Sequence, residues 1–280
     1  MTDVTTPRTT VVVPVWGGYV ALRFEEALAS IVGQDVPVSV LVIDNASHMP
    51  LPEMDGVVAV MRTAERVPLG TARNIGLAAV ETETVMFADA DDVLLPGTLR
   101  RLQQELDGDQ GLVAVAMPFL DADTGSRHRW PRPWIATLVR YPIVLALVNA
   151  VWGVYPITGP VLIRTQVARE VGGHADVDNG DARCLGAAML FRGRVGWIEQ
   201  PGWIYYQREG SNSDRFSGAA AILESARSVR ERLATDFGGP GWLAPIMPLL
   251  AVAQWAAVAA HLAVAVLRRT RAAGARFAAR

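Results

Sequence analysis

Thr84-Val85-Met86-Phe87-Ala88-Asp89-Ala90-Asp91-Asp92 is a short apolar run that passes directly into three carboxylates. Such a run, closed by acids, predicts a buried strand ending at a ligand site. Upstream lie three similar runs, Val11 to Val15, Val38 to Ile43 and Val57 to Met61. Between them, Tyr19 to Gln34 places Leu22, Ala27, Leu28, Ile31 and Val32 near helical spacing, and Thr71 to Val80 reads as a second helix. Continuous apolar strands alternating with helices predict a mostly parallel sheet covered on both faces. The order β-α-β-β-α-β predicts a doubly wound α/β nucleotide-binding domain. Downstream, a helix is expected from Pro96 to about Leu106 and a strand over Leu112 to Met117. A polar loop over Asp121 to Pro133 follows, then a strand over Gly159 to Arg164 and a helix over Val177 to Phe191. Short strands at Val195 to Ile198 and Trp203 to Tyr206 precede a long helix, Ser217 to Asp236, broken by Gly238-Gly239-Pro240-Gly241.

The chain has 280 residues, 51% of them hydrophobic and 19% charged, which excludes an intrinsically disordered protein. The formal net charge is -2, against the basic balance of a nucleic-acid binder. All 26 basic residues are Arg. The single Cys184 excludes an intrachain disulfide and a Cys-rich zinc site. None of His48, His128, His174 and His261 falls in a metal-ligand motif, and Ser47, Ser211 and Ser213 lack a nucleophile-elbow context. Met1 to Thr10 is polar, so no leader is expected and the chain should start in the cytosol.

Three constellations can carry chemistry. Asp89, Asp91 and Asp92 repel one another unless a cation lies between them, and hard oxygen ligands suit Mg²⁺ or Mn²⁺ shared with phosphates. The alternative is a solvated turn in which Asp92 caps the next helix. Asp44-Asn45-Ala46-Ser47 closes the second strand, where an acid can accept hydrogen bonds from a ribose or base, or simply form an Asx turn. Gly70-Thr71-Ala72-Arg73-Asn74 opens a helix whose N-terminus favours anions; Arg73 can meet phosphate or base and Asn74 can orient a neighbour.

Five stretches now stand in one register: V-V-V-P-V (11–15), S-I-V-G-Q (30–34), L-V-I-D-N-A-S (41–47), G-T-A-R-N-I-G-L (70–77) and F-A-D-A-D-D-V-L-L-P (87–96). Together they resemble the N-terminal half of family 2 of the glycosyltransferases, which have the GT-A fold. Further on, Val171-Gly172-Gly173 is similar to the family's G-G turn, and Asp181 stands where its catalytic acid stands, with Asp178 in reserve. Tyr205 to Ser213, with Arg208, resembles the segment that closes over the diphosphate. Three places depart from the family: Trp16-Gly17-Gly18 where an Asn is usual, Asn45 in place of a second acid, and Gly180 in place of a Glu.

The resemblance implies an inverting transferase moving a hexosyl or related group from a nucleotide sugar, such as a UDP-, GDP- or dTDP-sugar, to an acceptor hydroxyl. It implies that Pro14, Val15, Asp44, Arg73, Asn74, Asp89 and Arg208 bind the donor. Asp89, Asp91 and Asp92 would hold a divalent cation, Mn or Mg, and Asp181 would be the base. Two alternatives remain: a nucleotidyltransferase, which would want a Gly-rich loop and a Lys, and a membrane-bound scaffold that keeps the fold without activity. On this reading residues 1–237 form the catalytic domain, with a donor half over about 8–115 and an acceptor half over about 116–237. Residues 238–280 form an apolar helix with an Arg-rich tail.

Two segments are unusually apolar. Leu249 to Leu267 carries only Gln254 and His261 as polar residues. At about 28 Å it approaches a hydrocarbon core of ~30 Å, so a single crossing is one reading. Gln254, His261 and Arg268 are spaced to share one face, which suits a helix lying in a membrane interface or packing on its own domain. The tail carries Arg268, Arg269, Arg271, Arg276 and Arg280 and should stay on the cytosolic side. Trp134 to Val151 contains Arg140 and Pro142, and its uninterrupted apolar part, Ile143 to Val148, is too short to span; it reads as interfacial or as a core helix. A cytoplasmic enzyme at the inner face of the membrane, acting on a lipid-linked or cell-envelope saccharide, is the resulting expectation.

Overall fold

The computed structural model describes residues 6–20, 23–52, 56, 59–122, 137–152, 159–178, 180–206, 219–235, 237–256 and 258–259. The first half alternates as the apolar runs predict. It comprises β1 (Thr9–Val15), α1 (Phe24–Val32), β2 (Val38–Asp44), β3 (Ala59–Arg62), α2 (Leu69–Ala79) and β4 (Thr84–Phe87). Then come β5 (Val93–Leu94), α3 (Thr98–Gly108), β6 (Leu112–Ala116), β7 (Phe119–Asp121), α4 (Pro142–Trp152), β8 (Val161–Arg164) and α5 (Thr165–Glu170). The chain continues through α6 (Asp181–Met189), β9 (Arg194–Trp197), β10 (Trp203–Tyr205) and α7 (Ala219–Thr235). A last helix, α8, occupies residues 243–256.

The main sheet has seven strands in the order β3-β2-β1-β4-β8-β6-β9. Neighbours pair in parallel except at β8, which is antiparallel to both β4 and β6. The structure therefore agrees with a mostly parallel doubly wound sheet. Side-chain alternation along β1 divides the core. Val12 joins a cluster with Ile43, Ala72 and Leu77, while Val11, Val13 and Val15 join Phe24, Leu28, Ile31 and Leu99 on the other side. Fully apolar strands are required because both faces are covered. On α3, Leu99, Leu102 and Leu106 are buried three and four residues apart, while Arg100, Gln103 and Gln104 lie outside that stripe.

A second sheet, β5-β10-β7, has three very short strands; β10 is the strand expected at Trp203 to Tyr206, whereas β5 and β7 were not expected. Its strands of two or three residues are too short to show a period. The expected loop over Asp121 to Pro133 falls mostly outside the described residues. The apolar segment ending at Val151 supplies α4, which buries Leu145, Ala146, Asn149 and Ala150 and packs on α6 and α7. It is a core helix, although Tyr141, Ile143 and Val144 at its start are exposed.

Helix α2 approaches the sheet closely. A Cβ on Gly76 would lie 2.4 Å from Val12 Cγ1, so a side chain there must displace a strand residue. Gly76→Ala should cost about 1–3 kcal/mol through overpacking. Gly18→Ala, where a Cβ meets nothing within 4 Å, is the matched control and should unfold in urea close to wild type.

Candidate active site

The carboxyl ends of β1 and β4 open onto one cavity of about 260 Å³. Pro14 and Trp16 come from β1 and the turn after it, Asp89 and Asp91 from the end of β4, and Leu69 and Arg73 from the start of α2. The facing wall is His174, Asp178, Gly180 and Asp181, with Tyr205 and Tyr206 at its edge.

Arg73 joins the two sides. Its Nη2 donates to Asp89 Oδ1 at 2.5 Å and its Nη1 to Asp181 Oδ2 at 2.7 Å. The Arg73 and Asp181 side chains are 9% and 5% exposed, whereas Asp89 is 46% exposed. Burial alone would raise the Asp181 pKa. The Arg73 charge, reinforced by His174, overcomes that and holds the carboxyl well below the usual range. Arg73 is correspondingly shifted upward: burial opposes its charge, and Asp181 and Asp89 more than compensate.

His174 Nδ1 lies 2.8 Å from Asp181 Oδ2. The contact is off the line of the ring N–H, and among the described residues neither ring nitrogen has an aligned hydrogen-bond partner. The ring also packs edge-on against Phe87, centroids 4.4 Å apart. Burial chiefly pulls the His174 pKa down, so the imidazole is neutral at physiological pH.

The other expected residues are placed differently. Asn74 is turned away from the cavity lining: its Nδ2 donates to the His174 carbonyl at 2.9 Å and its Oδ1 accepts from the His174 N–H at 2.8 Å. It orients a neighbour, which is the loop that carries the second wall. Asp44 is 2% exposed, accepts from Ser47 N–H at 2.8 Å, pairs with Arg62 at 2.8 Å, and lies outside the cavity lining. Val15 is fully buried behind the lining. Asp92 is also buried and outside the lining; burial, then the charges of Asp89 and Asp91, push its carboxyl well above the usual range. Asp178 accepts from the Leu69 N–H at 3.1 Å and lies 3.8 Å from Arg66. Asp176 accepts a hydrogen bond from the Thr71 hydroxyl. Arg208 lies outside the described residues.

Sequence reasoning missed Trp16 and His174. Trp16 stacks at a tilt on Tyr19, centroids 4.7 Å apart, with the Arg66 guanidinium 5.1 Å from its ring centre. Its place immediately after the carboxyl end of β1 was the available signal. His174 follows the expected G-G turn directly, but no motif separates it from an ordinary core histidine.

A sequence profile of glycosyl transferase family 2 matches residues 10–161, more than half the chain. The chain belongs to glycosyl transferase family 2. Solved structures with the same GT-A fold include TarS residues 1–349 from S. aureus in complex with UDP-GlcNAc, at 14% identity and TM-score 0.61, covering 89% of this chain and 73% of that one. Another is the mannosyltransferase PcManGT from Pyrobaculum calidifontis in complex with GDP-Man and Mn²⁺, at 22% identity and TM-score 0.60, covering 97% and 81%. At these identities the likeness is one of fold. No curated protein matches the chain in sequence.

The family's pattern puts an acid where Gly180 stands, and the backbone explains the departure. Gly180 has φ +86°, in the left-handed region that favours glycine, and it immediately precedes the first residue of α6, Asp181. A Cβ there would also come within 3.0 Å of Ser225 Oγ.

Removing the guanidinium strands a buried carboxylate. Arg73→Met should lower stability at neutral pH by about 3–5 kcal/mol in urea unfolding. The folded pKa of Asp181 lies below its ordinary value of 3.8. Its stabilising contribution is therefore complete above that value and is lost as pH falls below it. The gap between wild type and Arg73→Met should be widest near neutrality and close in acid.

Proposed function

We propose that this family 2 chain transfers a sugar from a nucleotide-sugar donor to an acceptor hydroxyl, with inversion at the anomeric carbon. The observation that carries this reading is the juxtaposition across one cavity of Asp181 with the Asp89–Asp91 strand end, Arg73 lying between them. The family membership supports the reaction class. TarS and the Pyrobaculum enzyme, whose structures are complexes with UDP-GlcNAc and GDP-Man, support a nucleotide-sugar donor.

A cation fits this site in part. Asp89 and Asp91 both line the cavity, whereas Asp92 does not. Among the described residues no group of three His, Cys, Asp or Glu side chains is arranged to hold a metal. Asp89 and Asp91 would therefore hold Mn²⁺ or Mg²⁺ together with donor oxygens, as two carboxylates plus substrate phosphates suit such ions. When bound, the cation neutralises charge developing on the leaving diphosphate.

The chain's own residues do the rest. Arg73 offers a buried, permanently charged guanidinium to the same diphosphate. Asp181 takes the proton from the acceptor hydroxyl while that oxygen bonds to the anomeric carbon and the diphosphate departs from the opposite face. In the donor-free arrangement Asp181 is a weak base, because Arg73 neutralises it. A diphosphate competing for Arg73 weakens that hold and raises the basicity of Asp181 when the donor is in place. His174 lies against the same Asp181 oxygen, Oδ2, that accepts from Arg73. Trp16 and Tyr19 offer aromatic surface beside Pro14 for the base of the donor. The acceptor in this reading is a saccharide, lipid-linked or of the cell envelope.

The test is a panel of UDP-, GDP- and dTDP-sugars with Mn²⁺ or Mg²⁺, scored for transfer to saccharide acceptors. Asp181→Asn should lower turnover by about 10²-fold or more without loss of donor affinity, since Arg73 is released for the diphosphate. If Asp178→Asn behaves that way instead, the base is misassigned.

Asp91→Asn should weaken Mn²⁺ and donor binding together and leave the melting temperature near wild type. Retained activity with an unchanged Mn²⁺ requirement would remove Asp91 from the cation site. A folded chain that turns over no donor in the panel would point to the inactive scaffold.

A further inference from the structure

Helix α8 turns its faces opposite to those of a surface helix in water. Leu243, Met247 and Gln254 are buried against the domain, with Ile246 and Leu250 packed beside them. Gln254, the one polar side chain along α8, is only 2% exposed and donates to the Leu223 carbonyl at 3.4 Å. The polar stripe read from Gln254, His261 and Arg268 thus points inward at its first member.

The outward face is apolar throughout. Trp242 is 46% exposed, Leu249 68%, Val252 68% and Trp255 65%. At 100° per residue Leu249 and Val252 fall opposite Leu243, Met247 and Gln254, Trp255 falls on the flank, and Trp242 stands in the turn just before the helix. From Gly238 to Ala260 the sequence carries no charged residue. A helix exposing only apolar side chains over some four turns marks an interaction surface.

We infer that the outer face of α8 docks on an anionic lipid bilayer. The apolar side chains enter the boundary of the acyl region, with Trp242 and Trp255 at the depth where indole rings concentrate. Charge complementarity selects this occupant. Between Gly238 and Arg280 there is no acidic residue, and the segment beyond α8 brings Arg268, Arg269, Arg271, Arg276 and Arg280. These five residues lie outside the described ones; a basic run that follows an apolar helix in sequence is attracted to anionic headgroups. A second copy of the chain is a poorer match in charge, because its C-terminal sequence carries the same sign. Among the described residues no helix is long and apolar enough to cross a membrane. Leu243, Met247 and Gln254 are taken up by the domain, so the opposite face of α8 is the one open to lipid.

Flotation of the full 280-residue chain with vesicles tests this. Vesicles of phosphatidylglycerol and phosphatidylcholine should carry the protein up the gradient, and vesicles of phosphatidylcholine alone should do so much less. Added salt should weaken binding. The triple variant Leu249→Gln, Val252→Gln, Trp255→Gln should lose about tenfold or more of the binding, with thermal unfolding and any transfer to a water-soluble acceptor unchanged. Replacing Arg268, Arg269 and Arg271 by Ala should weaken binding about fivefold per charge, while α8 and its face remain intact. The proposal is overturned if the folded chain stays at the bottom of the gradient at low salt, or if the triple variant floats like wild type. It is also overturned if wild type does not float and sediments as a dimer that the triple variant converts to monomer; α8 would then be a protein interface. Flotation needs neither donor nor turnover, so failure of the sugar-transfer assay would leave its result standing.

Discussion

One guanidinium between two carboxylates from distant parts of the chain sets the geometry of the site. Arg73 reaches Asp89 from the end of β4 and Asp181 from the start of α6. A buried charge of this kind is tolerated only when its partners are fixed. The surrounding structure supplies that fixity. Gly70 lets the start of α2 pass the loop before α6 so closely that a Cβ would fall 1.8 Å from the Ala175 carbonyl oxygen. One turn on, Asn74 grips the backbone of His174 through both ends of its amide. Helix α2 is thus the element against which the donor-side and base-side walls are both aligned.

The same arrangement explains an apparent conflict between stability and reactivity. Pairing with Arg73 makes Asp181 a poor proton acceptor and leaves it ionised. If Asp181 is the base, as proposed, a site that waits in this state keeps it in the correct charge form without exposing it as an unpaired buried charge. In the proposed mechanism, donor binding would change what surrounds Arg73 and so couple the arrival of the leaving group to the strength of the base.

Much of the fold was legible because apolar strands in a two-sided core leave an unbroken signal, as at Val11 to Val15 and Val38 to Ile43. The acids after β4 were legible for the same reason: a strand of that kind has its functional end at its carboxyl terminus. The antiparallel direction of β8 was not, since an apolar run looks alike in either direction. Asp44 and Asn74 show a different limit. Each is a polar residue at an element boundary, and composition alone does not say whether such a side chain faces a ligand or closes its own turn. Their observed partners, Arg62 and Ser47 for Asp44 and the His174 backbone for Asn74, depend on loops distant in sequence. On α8 the periodicity showed that Gln254 occupies one side of a helix, but which side the domain covers was decided by what it packs against.

Cys184 lies one turn along α6 from Asp181, is fully buried, and is the only cysteine in the chain. Burial pushes its thiol pKa up to about 12, so it is protonated and shielded while α6 stays seated. An alkylating reagent added to the unmodified protein therefore reads how often this helix lifts off, with no engineered label and no background from a second thiol. The rate of that labelling is a clock for the opening of the wall that carries Asp181, and slower labelling in the presence of a ligand would record how firmly that ligand closes it.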